Sequence, residues 1–372
     1  MIAVNEPLLD GNELTYVSDC IRSGWVSSEG PFVRRFETEF AESCDRRFGV
    51  AVVNGTAALQ LAVEALQLEP GDEVILPSFT IISCAAALAR LGLVPIPVDC
   101  DVRTMNSTAE HYEEAVTPRT RALMIVHIYG LPVDIDPILA LAEKHNLKVI
   151  EDAAEVIGQT YKGRPCGSFG DISVTSFYPN KHITTGEGGM VLCDDEALFE
   201  RLSLLRNLAF IPPRRFVHEE FGWNYRMTNI QAALGVAQLE NLDRNIALKR
   251  RIGHAYNQYL GGIEGASLPL PVTDYAENIY WVYTIVIDAD RRLDADRAMM
   301  ELAQRGIGTR PFFWPMHEQP VLRNLFPQLR QLKLPVSEHL ARKGFYIPSG
   351  LGLDLDQIPL ISQAVRDVVE NF

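Results

Sequence analysis

The fold is decided by the stretch RALMIVHIYGLPVDIDPILALAEKHNLKVIED, residues 121–152. It begins and ends with short apolar runs, RALMIVH and LKVIED, which have the length of buried strands and no polar alternation. Between them, DPILALAEKHN carries apolar residues at helical spacing. A strand, a helix and a second strand in this order predict two parallel strands of one sheet with a helix packed against it.

The same alternation extends over the first two-thirds of the chain. Apolar runs of strand length lie at residues 49–54, 73–77, 93–99, 121–127, 147–152, 171–177 and 189–193. Most of these runs contain no polar alternation, which is typical of strands that are covered on both faces. The sequence therefore predicts an α/β layer fold with a mainly parallel sheet of seven strands.

The C-terminal third has a different pattern. Residues 228–260 carry a continuous amphipathic pattern, which we expect to form one long helix that bridges two domains. Two glycines at 261–262 and the proline-containing LPLPV end this helix. A strand at 280–288, a helix at 294–306 and a last helix near 358–369 follow. The expected division is a large α/β domain, residues 1–250, and a smaller α+β domain, residues 251–372.

The bulk composition narrows the class of protein. A chain of 372 residues suits a large domain plus a smaller one. Its 34 basic and 48 acidic residues give a net charge of −14, which argues against binding to nucleic acid or to a membrane. The amino terminus has no signal-peptide pattern, and no run of about 18 apolar residues indicates a membrane span. The six cysteines are scattered without metal-ligand spacing, so we expect reduced thiols, a cytoplasmic location and no metal site.

The first candidate for ligand binding is the junction of a strand and a helix at residues 54–56, Asn-Gly-Thr. Free backbone N–H groups and the positive end of the helix dipole favour an anion there, and the Thr56 hydroxyl adds a donor. An ordinary helix cap explains the same residues. Taken alone, this junction leaves both interpretations open.

The other two candidates are an acid and a lysine. Asp152 follows a buried strand, where an acid can pair with a protonated ring nitrogen, although a turn or helix cap explains it equally. In SFYPNKHITTGEGGM, residues 176–190, Lys181 can reach an aldehyde while Ser176 holds the phosphate of the same ligand. A lone lysine is ordinarily a solvated surface residue. Together, however, the three segments supply the contacts that pyridoxal phosphate requires.

Longer motifs surround these segments. They lie at NGTAAL (54–59), EDAAE (151–155), GSFGD (167–171), SFYPNKHITTGEGGMV (176–191) and NYRMTNIQAALGVAQLE (224–240). In these motifs the chain resembles the DegT/DnrJ/StrS sugar aminotransferases over nearly its whole length. The resemblance implies the fold of the aspartate aminotransferase superfamily, fold type I, with pyridoxal 5′-phosphate as cofactor. It also implies a homodimer whose active sites lie at the subunit interface.

The resemblance further implies roles for individual residues. Lys181 matches the lysine that forms a Schiff base with the cofactor, and Asp152 matches the partner of the pyridinium nitrogen. Glu155 matches a Gln or Glu near the phenolic oxygen. The residues that match phosphate contacts are Gly55, Thr56, Ala57, Ser176 and, toward the neighbouring subunit, Asn224. Some relatives carry histidine instead of the lysine and are sugar 3-dehydratases, so Lys181 favours transamination.

Candidate substrate contacts lie in two places. Arg310, Trp314 and His317 belong to GTRPFFWPMH, which matches a family loop near the sugar-nucleotide site. Core packing of the small domain explains the aromatic residues of this loop equally well. His127 and Tyr129 follow the fourth predicted strand and are further candidates, although both are also explained as ordinary buried polar residues.

One position departs from the family pattern. Related enzymes often place an aromatic residue, stacked on the cofactor ring, after the Thr of PSFT, where this chain has Ile81. Either an aliphatic side chain covers the ring, or Phe79 or another aromatic residue does so. We expect Ile81 to cover it, with an effect on cofactor affinity or substrate choice.

The expected activity is transfer of an amino group from glutamate to a keto-sugar, by resemblance a nucleotide-linked 4-keto-6-deoxyhexose. Another nucleotide sugar, or an unactivated sugar acid with a terminal aldehyde, remains open as acceptor, because specificity resides in loops. A deoxygenase or dehydratase with the same cofactor would require an iron–sulfur partner or loss of the lysine. A non-catalytic regulator with the same fold is the alternative of another class, and Lys181, Asp152 and Ser176 argue against it.

Overall fold

The computed structural model describes residues 1–371. The helices are α1 Glu13–Ser23, α2 Pro31–Ser43, α3 Gly55–Ala65, α4 Ile82–Arg90, α5 Ala109–Glu114, α6 Ile135–His145, α7 Glu196–Arg206, α8 Asn229–Leu239, α9 Leu242–Leu260, α10 Ala295–Gln304, α11 Pro320–Leu325, α12 Pro335–Lys343 and α13 Ile358–Glu370. The strands are β1 Phe48–Val52, β2 Glu73–Pro77, β3 Val94–Val98, β4 Thr120–Val126, β5 Lys148–Asp152, β6 Thr160–Tyr161, β7 Arg164–Pro165, β8 Ile172–Ser176, β9 Gly189–Cys193, β10 Ala266–Ser267, β11 Tyr283–Ile287, β12 Arg310–Pro311 and β13 Gly344–Ile347. Within residues 1–371, no helix has both the length and the apolar composition to cross a membrane.

A seven-stranded sheet forms the centre of the N-terminal unit, in the order β1-β9-β8-β5-β4-β2-β3. The strands from β8 to β3 pair in parallel, whereas β9 runs antiparallel to both of its neighbours. Each of the seven predicted strands is present. The prediction of an α/β fold with a mainly parallel seven-stranded sheet is therefore confirmed.

The strands are uninterrupted apolar runs because both faces of the sheet are covered. All five residues of β2 are buried, and they alternate between two cores. Val74 and Leu76 pack in the core that contains α3, while Ile75 packs in the core that contains α6. Burial on both faces removes any position where a polar side chain would reach water, so strand periodicity disappears from the sequence.

The prediction of one helix over residues 228–260 is wrong. The structure has two helices, α8 and α9, which are separated at Glu240 and Asn241. Asn241 has backbone angles of φ −107° and ψ 9°, and its side-chain amide donates a hydrogen bond to the Ala237 carbonyl at 3.2 Å. Such a local hydrogen bond competes with continuation of the helix. Apolar spacing did not reveal the break because both helices bury one face.

The C-terminal unit is built on a smaller antiparallel sheet in the order β10-β11-β13-β12. The predicted strand and the two predicted helices of this unit are present as β11, α10 and α13. Ile252 and Tyr256 of α9 pack in its core, so α9 joins this unit to the large sheet. The predicted boundary at residue 250 falls inside α9 and stays a prediction.

Candidate active site

A cavity of about 520 Å³ lies at the carboxyl ends of β5 and β8, where α3 begins. Open parallel sheets place their ligand sites at this edge. Six of the predicted site residues line it: Gly55, Thr56, Asp152, Glu155, Ser176 and Lys181. The predicted cofactor residues Ala57 and Asn224 do not line it, nor do the predicted substrate residues His127, Tyr129, Arg310 and His317.

The start of α3 forms a cradle for an anion. Asn54 caps the helix, and its side-chain oxygen accepts the N–H of Ala57 at 2.8 Å. Ala57 therefore uses its donor within the chain, while the N–H groups of Gly55 and Thr56 precede the first intrahelical bond and face the cavity end. A Cβ on Gly55 would lie 2.7 Å from the Cβ of Ser176, so only glycine lets α3 approach β8 this closely. The Thr56 hydroxyl lies 2.9 Å from that of Ser83.

Lys181 is a buried amine inside the cavity rather than a solvated surface lysine. Its Nζ lies 3.9 Å from Glu155 Oε1 and 3.7 Å from the ring centroid of Trp281. Burial lowers the pKa of Lys181 from its ordinary value, and the carboxylates of Glu155 and Asp152 oppose this shift. A larger share of neutral amine makes Lys181 a competent nucleophile.

Asp152 ends β5 with its carboxylate in the cavity and only 3% of the residue exposed. Oδ1 accepts the N–H of Ala154 at 3.0 Å, and the Cys84 thiol donates to Oδ2 at 3.5 Å. Burial raises the pKa of Asp152, since these two donors compensate only partly for lost water. A cation opposite this carboxylate would restore its ionised form.

Glu155 lies on the other side of Lys181. Its Oε2 accepts the N–H of Tyr129 at 2.9 Å. Burial raises the pKa of Glu155, and the Lys181 amine opposes the shift. An ammonium at Lys181 therefore favours the carboxylate form of Glu155.

The structure brings neither predicted histidine to the cavity. His127 is fully buried, where its Nδ1 accepts the N–H of Val133 and its Nε2–H donates to Glu151 at 3.0 Å. His317 is also fully buried and lies between Ser78, at 2.8 Å, and Glu338, at 3.1 Å. Both imidazoles use their two nitrogens within the protein, so we do not include them among the proposed substrate contacts.

The other predicted contacts also lie outside the cavity wall. Tyr129 is buried, with its ring stacked at 5.4 Å on that of Phe313. Arg310 is exposed on β12, and its guanidinium donates to the Thr309 carbonyl at 3.0 Å. Trp314 is exposed, with the guanidinium of Arg342 4.9 Å from its ring centroid. Asn224 is exposed and pairs through its backbone with Asn207.

Ile81 lines the cavity and is 42% exposed, whereas Phe79 is fully buried and does not reach it. That Ile81 covers the cofactor ring stays a prediction. The aromatic residues of the wall are Tyr178, Trp281, Phe313 and Tyr346. Tyr178 and Phe313 belong to motifs quoted above, whereas sequence interpretation missed Trp281 and Tyr346, because they come from the distant C-terminal unit and no local motif marks them.

The residues present fit pyridoxal phosphate on structural grounds. A buried amine, a buried carboxylate and a helix N-terminus meet in one cavity, as the aldehyde, ring nitrogen and phosphate of this molecule require. Two buried polar atoms of wall residues, Thr175 Oγ1 and Asn180 Oδ1, have no hydrogen-bond partner among residues 1–371. Buried polar atoms are rarely left in this state, so their presence indicates a polar ligand.

Comparison with known proteins agrees with this geometry. A GDP-perosamine synthase of Caulobacter vibrioides is 42% identical over 360 residues, which cover 96% of each chain. A GDP-perosamine synthase of Vibrio cholerae is 39% identical over 370 residues, or 99% of each chain. The crystal structure of the aminotransferase TlmJ from Streptoalloteichus hindustanus is similar with a TM-score of 0.92 at 31% identity, over 100% of this chain and 99% of that one.

A sequence model of one family matches residues 7–366, which is nearly the entire chain. Enzymes of this family use pyridoxal phosphate, the molecule that the cavity fits. The chain belongs to the DegT/DnrJ/EryC1/StrS aminotransferase family.

Proposed function

We propose that this protein transfers an amino group from glutamate to GDP-4-keto-6-deoxymannose, as in the synthesis of perosamine for a surface polysaccharide. One observation carries the transaminase activity: Lys181, Asp152 and the N-terminus of α3 line the same cavity. The nucleotide-linked acceptor is supported by two relatives, 42% and 39% identical, that are GDP-perosamine synthases.

Each part of the cofactor has residues that would hold it. The N–H groups of Gly55 and Thr56, with the Ser176 hydroxyl, would bind the phosphate at the positive end of α3. Asp152 would bind the ring nitrogen, and Lys181 would bind the aldehyde carbon. When bound, the cofactor supplies that aldehyde and a ring that accepts electrons.

Lys181 is the group that moves protons. Because burial lowers its pKa, the neutral amine is available to accept the proton of the donor's α-carbon at Nζ. The carboxylate of Glu155, 3.9 Å away, then stabilises the ammonium that results. The ammonium would give that proton to the aldehyde carbon of the bound cofactor, and in the second half of the cycle Lys181 would carry a proton from this carbon to the sugar carbon that receives the nitrogen.

Asp152 stabilises the positive charge that this chemistry requires on the ring nitrogen of the cofactor. Its carboxylate is buried and faces the cavity, so it attracts a cationic N–H more strongly than an exposed acid would. The Ala154 N–H and the Cys84 thiol orient the two oxygens. The wall of Trp281, Phe313 and Tyr346 excludes water from the reacting atoms.

We also propose a homodimer in which Asn224 reaches the phosphate site of the partner subunit. Asn224 is exposed in its own chain and does not line its own cavity. Phe216 and Phe221, in the segment before it, are 80% and 96% exposed. Large apolar side chains exposed together support a protein contact at this segment.

The location that we propose is the cytoplasm. All six cysteines are buried and form no disulfide bond. Cys44 and Cys166 are free thiols although they lie close enough to interact. Free thiols are usual in a reducing compartment.

The test is to incubate the purified protein with glutamate and a panel of keto-sugars. The panel contains GDP-4-keto-6-deoxymannose, a deoxythymidine-diphosphate 4-keto-6-deoxyglucose and an unactivated sugar-acid aldehyde. We expect an amino sugar, and 2-oxoglutarate beyond one equivalent per enzyme, both measured by mass spectrometry, only with the nucleotide sugars and fastest with the GDP sugar. The variant Lys181→Ala should form neither product. Turnover by this variant, or no turnover of any sugar by the wild type, would overturn the proposal.

A further inference from the structure

Trp281 makes a contact with Lys181 that the chemistry above does not assign. The indole is 4% exposed, and its face lies against the Lys181 amine with 3.7 Å between Nζ and the ring centroid. Glu155 Oε1 lies 3.9 Å from the same Nζ. The face of an aromatic ring attracts a cation, and the attraction is stronger where water is excluded. The free amine is thus held between a carboxylate and a ring face.

The position of the ring is fixed at both of its ends. The indole Nε1–H donates to the carbonyl of Asn180 at 2.7 Å, and Asn180 is the residue before Lys181. At the backbone, Lys249 Nζ donates to the Trp281 carbonyl at 2.8 Å and also to the Ser349 carbonyl. The ring is therefore tied to the segment that carries the amine, and the Trp281 backbone is tied to α9.

The chain turns sharply to bring Trp281 into the cavity. Tyr280 has a φ of +49°, a left-handed conformation that costs free energy for a residue with a large side chain. The turn sends the ring of Tyr280 into the core of the C-terminal unit and that of Trp281 into the core of the large unit. Gly253 makes room for Tyr280, since a Cβ there would lie 2.3 Å from the ring. Strain of this kind persists where the surrounding structure requires it.

We propose that Trp281 is a positioning residue that acts through Lys181. Its indole face gives the unbound amine a fixed resting place beside Glu155 and favours the protonated form of that amine. Within the described part of the chain, the ring in contact with the Lys181 amine is that of Trp281. We therefore do not assign this role to the other aromatic residues of the wall, which are Tyr178, Phe313 and Tyr346. The inference rests on the proposed role of Lys181, and its test needs neither a sugar nor turnover.

The consequence concerns the proton affinity of the amine. Burial disfavours the ammonium, whereas the ring face favours it. Replacement of the indole by a smaller aliphatic side chain removes the second effect, and a phenylalanine at the same position, which is closer in size to leucine, keeps a ring face and serves as the reference. The pKa of Lys181 should then fall further, so that the amine holds its proton over a narrower pH range.

The test compares Trp281→Phe with Trp281→Leu in the full-length protein. Both variants are loaded with pyridoxamine 5′-phosphate, which leaves the Lys181 amine free. The pKa of Lys181 is measured by competitive acetylation over a range of pH, with mass spectrometry of the Lys181 peptide. We expect a lower pKa in the Leu variant than in the Phe variant, by about 0.5 unit or more. Both substitutions leave space that water can enter, so the difference between them isolates the ring face.

Two controls accompany this comparison. The labelling profile of the exposed Lys144 in the same samples should be identical in all proteins, and thermal unfolding shows whether both variants fold. Equal pKa values of Lys181 in the Phe and Leu variants would overturn the role of Trp281. If the pKa of Lys181 differs between the two variants but the wild-type protein turns over no sugar, the proposed acceptor is overturned and the role of Trp281 stands.

A second measurement leaves the indole in place. The fluorescence contribution of Trp281 is obtained by subtracting the spectrum of Trp281→Phe from that of the wild type. It should change with pH as the neighbouring amine titrates, and the change should be absent when the same subtraction is made in a Lys181→Met background. A pH dependence that persists without the amine would contradict the contact.

Discussion

The carboxylate of Asp152 has few donors for a buried group. The Ala154 N–H and the Cys84 thiol are its hydrogen-bond partners, and burial raises its pKa. For such a buried acid, a cation that binds opposite it strongly stabilises the ionised form and lowers the pKa. In the proposed site the charge of Asp152 is therefore linked to the ligand: a protonated ring nitrogen would stabilise the carboxylate, and the carboxylate would keep that nitrogen protonated.

Asp152→Asn should lower kcat strongly while the protein still folds and binds the cofactor. The amide keeps the size of the side chain but carries no charge, so the ring nitrogen loses its proton. Loss of such an electrostatic contact lowers kcat on the order of 100-fold or more. Asp136→Asn is the matched control, because Asp136 is an exposed acid that pairs with Lys162. A kcat that falls equally in both variants would contradict the role of Asp152.

The sequence predicted the residues whose local motif carries their chemistry. Lys181, Asp152 and Ser176 each follow a buried strand in a recognisable segment, and the structure brings all three to one cavity. The sequence did not reveal Cys84 or Trp281, whose contacts with Asp152 and Lys181 exist only after folding. The apolar run that contains Trp281 has the same local pattern whether the ring fills a core or faces an amine.

Two helices begin with the same device but in different surroundings. Asn54 caps α3 at the cavity, and its Oδ1 accepts the Ala57 N–H at 2.8 Å. Asp195 caps α7 away from the cavity, and its Oδ1 accepts the Leu198 N–H at 2.8 Å. Substitutions at Asn54 and Asp195 can therefore be compared to separate the contribution of an N-cap to helix stability from its contribution to ligand binding.

Asn54→Ala and Asp195→Ala should each lower the free energy of unfolding by about 1 kcal/mol, because each removes one N-cap. Only Asn54→Ala should also weaken cofactor binding, since fraying of the first turn of α3 displaces the N–H groups that face the phosphate. Urea denaturation measures the first effect and a fluorescence titration with the cofactor the second. Equal cofactor affinity of the two variants would show that α3 does not bind the phosphate.

Helix α9 carries a buried lysine that links stability to pH. Lys249 is 3% exposed and donates to two backbone carbonyls, and burial lowers its pKa from 10.5 to about 7. Between these two values the unfolded chain binds a proton that the folded protein does not bind. Stability should therefore rise with pH across this window, by at most about 1.4 kcal/mol per pH unit.

The variant Lys249→Met should lose this dependence. Its free energy of unfolding, measured by denaturation at several pH values from neutral to alkaline, should rise less steeply with pH than that of the wild type. The comparison of slopes cancels the other titrating groups, which both proteins share. A wild-type slope that is equal to or smaller than that of Lys249→Met would show that the buried amine keeps its proton throughout.

At the level of elements, the sequence predicted strands better than helix ends. The strands of the large sheet are short apolar runs with turn residues on both sides, so their bounds are local properties. The break between α8 and α9 depends on one side-chain hydrogen bond from Asn241 to Ala237, which apolar spacing does not report. Apolar spacing therefore locates a helical face but not the point where a helix ends.

The whole molecule places its reacting groups where two units meet. Asp152, Ser176 and Lys181 come from the large sheet, while Trp281, Phe313 and Tyr346 come from the C-terminal unit. Asp152, Glu155 and Glu187 give the cavity three carboxyl groups against one lysine, although it has to accept a phosphate. In the dimer that we propose, Asn224 of the second copy, which is exposed on its own chain, would supply a further donor for that phosphate.

The shared site makes a prediction about mixed dimers. Lys181→Ala removes the reacting amine, and Asn224→Asp replaces a neutral donor by a carboxylate that repels the partner's phosphate, so each homodimer should be nearly inactive. A dimer of one subunit of each kind has one site with both defects and one site with neither, provided that Asn224 acts across the interface. Mixing equal amounts under conditions of subunit exchange should restore roughly a quarter of the wild-type activity, since about half of the dimers are mixed and each of those has one intact site. If Asn224 acted within its own chain, the mixture would show only the average of the two inactive parents, and the proposed dimer site would be wrong.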